Sequence, residues 1–188
     1  MAPAVEHRFT EEPLPQAVVL DADFVVSVLH EGEEFHKDCA QFAARLLEGS
    51  ASIIYTQLLR LEFMSAWQSA IRRRGIPDAM RPRQGRLFGS IEGDRDDLYK
   101  LGDDFLADFL SRFNRYEVRL SATLQNNARR LMASYNLRPM DACLVAGAFQ
   151  TGVQHVASLD RDFRRVDDID LWNGHVPARR QAKRRRSS

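Results

Sequence analysis

The chain has 188 residues, 44% hydrophobic and 28% charged, which is the size and balance of one globular domain with a real core. Its two cysteines, Cys39 and Cys143, exclude a disulfide scaffold and a cysteine-built zinc site and favour a reducing compartment. The net charge of +1 is a cancellation: residues 179–188 carry six basic side chains and no acid, and without them 21 basic residues face 26 acidic ones, a net −5.

No apolar run reaches the roughly 20 residues of a membrane span. Residues 1–16 are polar, hold Pro3, Pro13 and Pro15, and lack the apolar stretch of a secretory signal. They read as an irregular extension. The first strand is Ala17-Val18-Val19-Leu20, a short β-branched run that stops at Asp21, as a buried parallel strand does. A helix follows from Phe24 to His30. Phe35, Cys39, Phe42, Ala43, Leu46 and Leu47 recur at three- and four-residue spacings and predict an amphipathic helix over 33–48, stopped by Gly49. Ser52 to Tyr55 is the second strand.

Thr56 is expected to cap a long helix reaching Arg73. The stretch from 75 to 102 has Gly, Pro and Arg with weak periodicity and reads as an inserted segment. Its neighbourhood carries Arg72, Arg73, Arg74, Arg81, Arg83 and Arg86, candidates for phosphate contact or a solvated basic loop. Leu101, Phe105, Phe109 and Phe113 mark a helix. Tyr116 to Leu120 alternates as a strand, and Ser121 is a helix cap. The helix it opens shows Leu124, Ala128, Leu131, Met132 and Tyr135 on one face. Pro139 suits the first turn of a further helix to Gln150. Val153 to Ala157 is the last predicted strand, followed by Ser158-Leu159-Asp160. Residues 17–176 are therefore the expected domain and 177–188 a basic, disordered tail.

Strands that alternate with helices imply an α/β fold with a parallel sheet. Ligands of such folds gather beyond the carboxyl ends of the strands. Asp21 and Asp23 follow the first strand, Thr56 and Glu62 the second, and Asp160 and Asp162 the last; Asp141 lies in the first turn of the Pro139 helix. Singly, each has a bland reading: a helix-dipole partner for Asp141, a turn cap for Asp21, a solvated Asp-Arg pattern for Asp162. Glu62 is more telling, because Leu58, Leu59, Leu61, Phe63 and Ala66 are its neighbours at helical spacing and put it on or beside an apolar face, where a buried carboxylate is costly unless paired or metal-bound. Converging carboxylates repel, and a hard divalent cation removes that repulsion. No Walker-type glycine loop is present. His155 reads as a packed strand residue.

Four segments then carry a family resemblance: Val18-Val19-Leu20-Asp21-Ala22-Asp23-Phe24-Val25, Thr56-Gln57-Leu58-Leu59-Arg60-Leu61-Glu62-Phe63, Pro139-Met140-Asp141-Ala142-Cys143-Leu144-Val145-Ala146-Gly147-Ala148, and Ser158-Leu159-Asp160-Arg161-Asp162-Phe163. In these blocks and their order the sequence resembles a PIN domain, most closely a VapC-type toxin ribonuclease. The resemblance spans about residues 17–166. It implies a three-layer fold with a central, mostly parallel sheet of four or five strands. It implies a Mg²⁺- or Mn²⁺-dependent endoribonuclease with Asp21, Glu62, Asp141 and Asp160 as catalytic and metal-site acids. Asp162 joins the metal set or exchanges roles with Asp160, and Asp23, Thr56 and Ser158 support them. The family often has Asn where this chain has Asp23. The resemblance further implies an RNA substrate, a cognate antitoxin, a homodimer and a cytoplasmic location, with no membrane. Arg161, Arg164 and Arg165 are candidate RNA contacts, although Arg161 also fits a bridge to Asp160 or Asp162.

Two rival readings fit the same residues. One is a non-catalytic RNA-binding or interaction module on the same fold. The other is a haloacid-dehalogenase-like phosphatase, with Asp21 as nucleophile and Asp23 as acid/base. The latter needs a later lysine, and only Lys100 and Lys183 follow Lys37.

Overall fold

Val18 and Leu20 are buried on one side of a strand while Val19, between them, is buried on the other. That period of two sorts the whole core. The computed structural model describes residues 2–78 and 95–175. Among these residues six parallel strands form one sheet: β1 (Val5–His7), β2 (Ala17–Leu20), β3 (Ser52–Thr56), β4 (Asn114–Val118), β5 (His155–Ala157) and β6 (Asp170–Trp172). Their order is β1-β6-β5-β2-β3-β4. The helices are α1 (Ala22–Leu29), α2 (His36–Glu48), α3 (Leu59–Arg74), α4 (Arg95–Ser111), α5 (Ala122–Tyr135) and α6 (Pro139–Thr151), with a 3-10 turn at Arg161–Arg165.

Helices α1 to α4 cover one face of the sheet, through Phe24, Phe42, Phe63, Trp67 and Phe109 packed with Val18, Leu20 and Ile53. Helices α5 and α6 cover the other, through Leu124, Ala128 and Val145 packed with Val19, Ile54 and Val156. Burying each such large side chain contributes about 1.5–3 kcal/mol. The result is the three-layer α/β arrangement expected from the alternation of elements.

Helix α6 is buried from Asp141 to Ala148, which marks a helix enclosed on all sides. Gly147 permits this: a Cβ there would lie 3.2 Å from Thr56 Cγ2 and 3.7 Å from Val118 Cγ1. Gly147→Val is expected to push α6 off the sheet and cost about 1–3 kcal/mol. Urea unfolding measures this; an unchanged midpoint would show that the layers are not in contact there.

Several boundaries differ from expectation. The sheet has six strands because two three-residue strands, β1 and β6, escape periodicity. Residues 1–16 are therefore not wholly irregular. Val5, Glu6 and His7 stand opposite Asp170, Leu171 and Trp172, the Asp168 N–H donates to the Ala2 carbonyl, and Arg164 pairs with Glu6. Thr56 ends β3 and is not a cap; α3 starts after Leu58, with no side-chain cap. Strand β4 starts at Asn114, two residues early. Of the predicted inserted segment, residues 95–102 are the start of α4. Residues 79–94, with Arg81, Arg83 and Arg86, and the tail at 177–188 lie outside the described residues. No described helix is long and apolar enough to cross a membrane.

Candidate active site

β5 and β2 pair side by side, and the chain proceeds outward from them in opposite directions, to β3 and β4 on one side and to β6 on the other. Such a switch point opens a crevice beyond the strand ends. Asp21 is the first residue past β2, and Ser158 the first past β5. Glu62 and Asp141 lie in the first turns of α3 and α6. A cleft of about 470 Å³ opens here, lined by Asp21, Asp23, Glu62, Asp141, Asp160 and Arg138 among others.

Local hydrogen bonds hold the acids in place. Asp21 caps α1 by accepting the Ala22 N–H at 2.7 Å. The fully buried Ser158 donates its hydroxyl to the other oxygen of Asp21 at 2.5 Å. The same hydroxyl oxygen accepts the Asp160 N–H at 2.9 Å. Asp23 Oδ1 accepts the Leu159 N–H at 3.1 Å, tying α1 to the loop after β5. Asp160 Oδ1 accepts the Asp162 N–H at 2.8 Å and so caps the 3-10 turn.

Burial and crowding make Asp21, Asp23, Glu62 and Asp141 weaker acids than usual. Asp21 is raised by burial, against the hydrogen bond from Ser158. Asp23 is raised well above the usual range by burial and then by the charge of Asp21. Glu62 is pushed up to about 7 by burial and then by Asp21 and Asp141. Asp141 is raised by burial, which Arg138 opposes. Among the described residues five acids and one arginine, Arg138, line the cleft, so its positive charge does not balance its carboxylates.

Asp21, Asp23, Glu62, Asp141 and Asp160 come together as the sequence suggested. Asp162 does not: its carboxylate turns to Arg165 at 2.7 Å and does not line the cleft. Asp160 is thus the acid after β5 that faces it. Thr56 is buried beneath Gly147 and lines a neighbouring groove instead. Ser158 is in place as the shared donor and acceptor. None of the three candidate arginines lines the cleft. Arg164 holds Glu6, Arg165 holds Asp162, and Arg161 contacts His175 at 3.2 Å. Sequence reasoning missed Arg138, which donates from Nε to Asp141 Oδ2 at 2.9 Å and also pairs with Asp160 Oδ2. Its signal was an arginine three residues before an acid at a helix start, the i,i+3 spacing of an ion pair.

The donor set consists of carboxylate oxygens, the chemistry of Mg²⁺ and Mn²⁺ sites. Among the described residues no three His, Cys, Asp or Glu side chains are grouped closely enough to ligate one ion as they lie. Mg²⁺ usually takes only one or two protein carboxylates and fills its remaining positions with water and phosphate, so the residues fit such an ion. No lysine lines the cleft among the described residues, and Lys183 lies outside them.

A parallel α/β domain with carboxylates gathered at its switch point is one class of protein. The particular family follows from sequence: the PIN domain model matches residues 18–169, and the chain belongs to the PIN domain family. No curated protein matches the chain. Among solved structures, the fold is similar to VapC20 of Mycobacterium tuberculosis, a sarcin-ricin loop cleaving toxin, at 15% identity and a TM-score of 0.52 over 78% of this chain and 92% of that one. VapBC2 from Rickettsia felis, solved bound to a DNA fragment from its promoter, matches at 13% identity and 0.53 over 84% and 98%. FitAcB from Neisseria gonorrhoeae matches at 13% and 0.53 over 85% and 99%. At these identities the likeness is one of fold.

Proposed function

We propose that the chain is a Mg²⁺- or Mn²⁺-dependent endoribonuclease and the toxin of a type II toxin–antitoxin pair. The observation that carries this reading is the meeting of Asp21, Glu62, Asp141 and Asp160 in one cleft of a PIN domain. The name of one structure sharing the fold, the sarcin-ricin loop cleaving toxin VapC20, supports it.

In this reading Asp21, Glu62, Asp141 and Asp160 would hold the cation between them, one or two directly and the others through its water. When bound, the cation supplies a Lewis acid that eases water attack and neutralises charge on the phosphate oxygens. Ser158 and the Ala22 N–H fix the orientation of Asp21 toward the cleft. Asp23 braces α1 against the loop carrying Asp160.

A second groove adjoins the cleft and shares Asp23, Ala66 and Ser69 with it; Arg73, Arg74, Glu33 and Glu34 also line it, and Arg73 pairs with Glu33. In this reading it is the path of an RNA strand, with Arg73 and Arg74 as phosphate contacts in place of the expected Arg161, Arg164 and Arg165. An antitoxin that covers the cleft, a homodimer and a cytoplasmic location complete the proposal.

The test is cleavage of a mixed RNA pool in Mn²⁺. Cleavage is expected to stop with EDTA and to resume when Mn²⁺ is restored in excess. RNA that is bound but not cut in any divalent cation would leave a binding module instead.

A further inference from the structure

Arg138 is the only Lys, Arg or His that lines the acid cleft among the described residues. One guanidinium reaches acids from two separate elements, Asp141 on α6 at 2.9 Å and Asp160 in the loop after β5. Its backbone is fixed, because it is the residue immediately before Pro139 and stands at the start of α6 with φ −68° and ψ 155°, the extended conformation that a following proline enforces. Its side chain is 68% exposed. The root is anchored, and among the described residues the exposed head is held only by its two carboxylate partners.

We infer that Arg138 stands in for the divalent cation in the free protein, leaves Asp141 and Asp160 when that cation binds, and then contacts the phosphate of the RNA. This rests on the function proposed above. The two oxygens that Arg138 holds belong to acids that face the cleft, and they cannot serve a guanidinium and a metal ion equally. A compact divalent ion outcompetes a delocalised single charge for carboxylate oxygen. The released guanidinium remains at the cleft, and its planar fork matches two phosphate oxygens. In the free state the acids keep a partial counter-charge, and in the loaded state the same cation faces the substrate.

The experiment titrates Mn²⁺ calorimetrically into metal-free, full-length wild type, Arg138→Gln and Arg138→Lys, and then measures single-turnover RNA cleavage at saturating Mn²⁺. Arg138→Gln is expected to bind Mn²⁺ about fivefold tighter, the scale of releasing an exposed ion pair with two contacts. It is expected to melt at a lower temperature without metal, because the acids lose their counter-charge. Its cleavage at saturating Mn²⁺ is expected to fall about tenfold through lost phosphate contact. Arg138→Lys keeps the charge without the fork and falls between.

A purely structural ion pair would lower the melting temperature and leave Mn²⁺ affinity unchanged; that result overturns the displacement. Undiminished cleavage at saturating Mn²⁺ overturns the phosphate contact. A wild type that binds Mn²⁺ and cuts no RNA sinks the nuclease reading and the phosphate contact with it, while the Mn²⁺ affinities still decide the displacement.

Discussion

Asp21→Asn is expected to reduce RNA cleavage about a thousandfold, a loss of about 4 kcal/mol of transition-state stabilisation. Asn has nearly the same shape. Its side-chain carbonyl still accepts the Ala22 N–H, so α1 keeps its cap, and its amide faces Ser158, whose hydroxyl can turn toward Asp23. What disappears is the charge at the centre of the switch point. Single-turnover cleavage in Mn²⁺, beside a thermal melt, separates lost chemistry from lost fold. A folded variant that cleaves within tenfold of wild type would remove Asp21 from the catalytic set.

The second large effect concerns stability. Burial and two neighbouring aspartates push Glu62 up to about 7 from its ordinary 4.5. The native state then binds the proton more tightly than the unfolded chain does. Stability is therefore fully present below about pH 4.5, falls as pH rises toward 7, and stays reduced above it. Gln cannot ionise and escapes this cost. Glu62→Gln is expected to be about 1–2 kcal/mol more stable than wild type at pH 8 without metal, after discounting for the partial exposure of Glu62. At pH 4.5 the two should coincide. Saturating Mn²⁺ at pH 8 should reverse the order, since a ligand that binds the native state adds stability and the wild type binds it better. Urea unfolding at both pH values, with and without Mn²⁺, measures all of this. A variant less stable than wild type at pH 8 without metal would contradict the proposed crowding of charge.

The same acids that made the site legible in the sequence also explain where legibility ends. Asp21, Glu62, Asp141 and Asp160 stand at the ends or starts of strongly patterned elements, so the order of strands and helices placed them at one edge. Asp162 could not be told from Asp160 by position, because the two differ only in a 3-10 turn that directs one carboxylate to the cleft and the other to Arg165. Strands β1 and β6 have three residues each and polar members, Glu6, His7 and Asp170. Their pairing comes from tertiary partners, not from local propensity. Thr56 looked like a cap because it is a threonine before a helix, yet its side chain fills the space under Gly147. For the three arginines near Asp160, proximity in sequence alone suggests RNA binding. A side chain's direction depends on its acid partners, and Glu6 lies far away in sequence.

The pairing of β1 with β6 has a mechanical consequence. The two strands are parallel neighbours, so tension applied between residue 2 and residue 175 runs lengthwise along their shared ladder. Such a load is borne in shear, with bonds at Val5, Asp168 and Asn173 strained together instead of unzipped one at a time. The Trp172 carbonyl at the end of that ladder accepts the Ser158 N–H, one residue's side chain away from Asp21. Tension between residues 2 and 175 would thus reach the acid cleft early, and if the proposed cation binds there, the force at which these strands yield should shift with it.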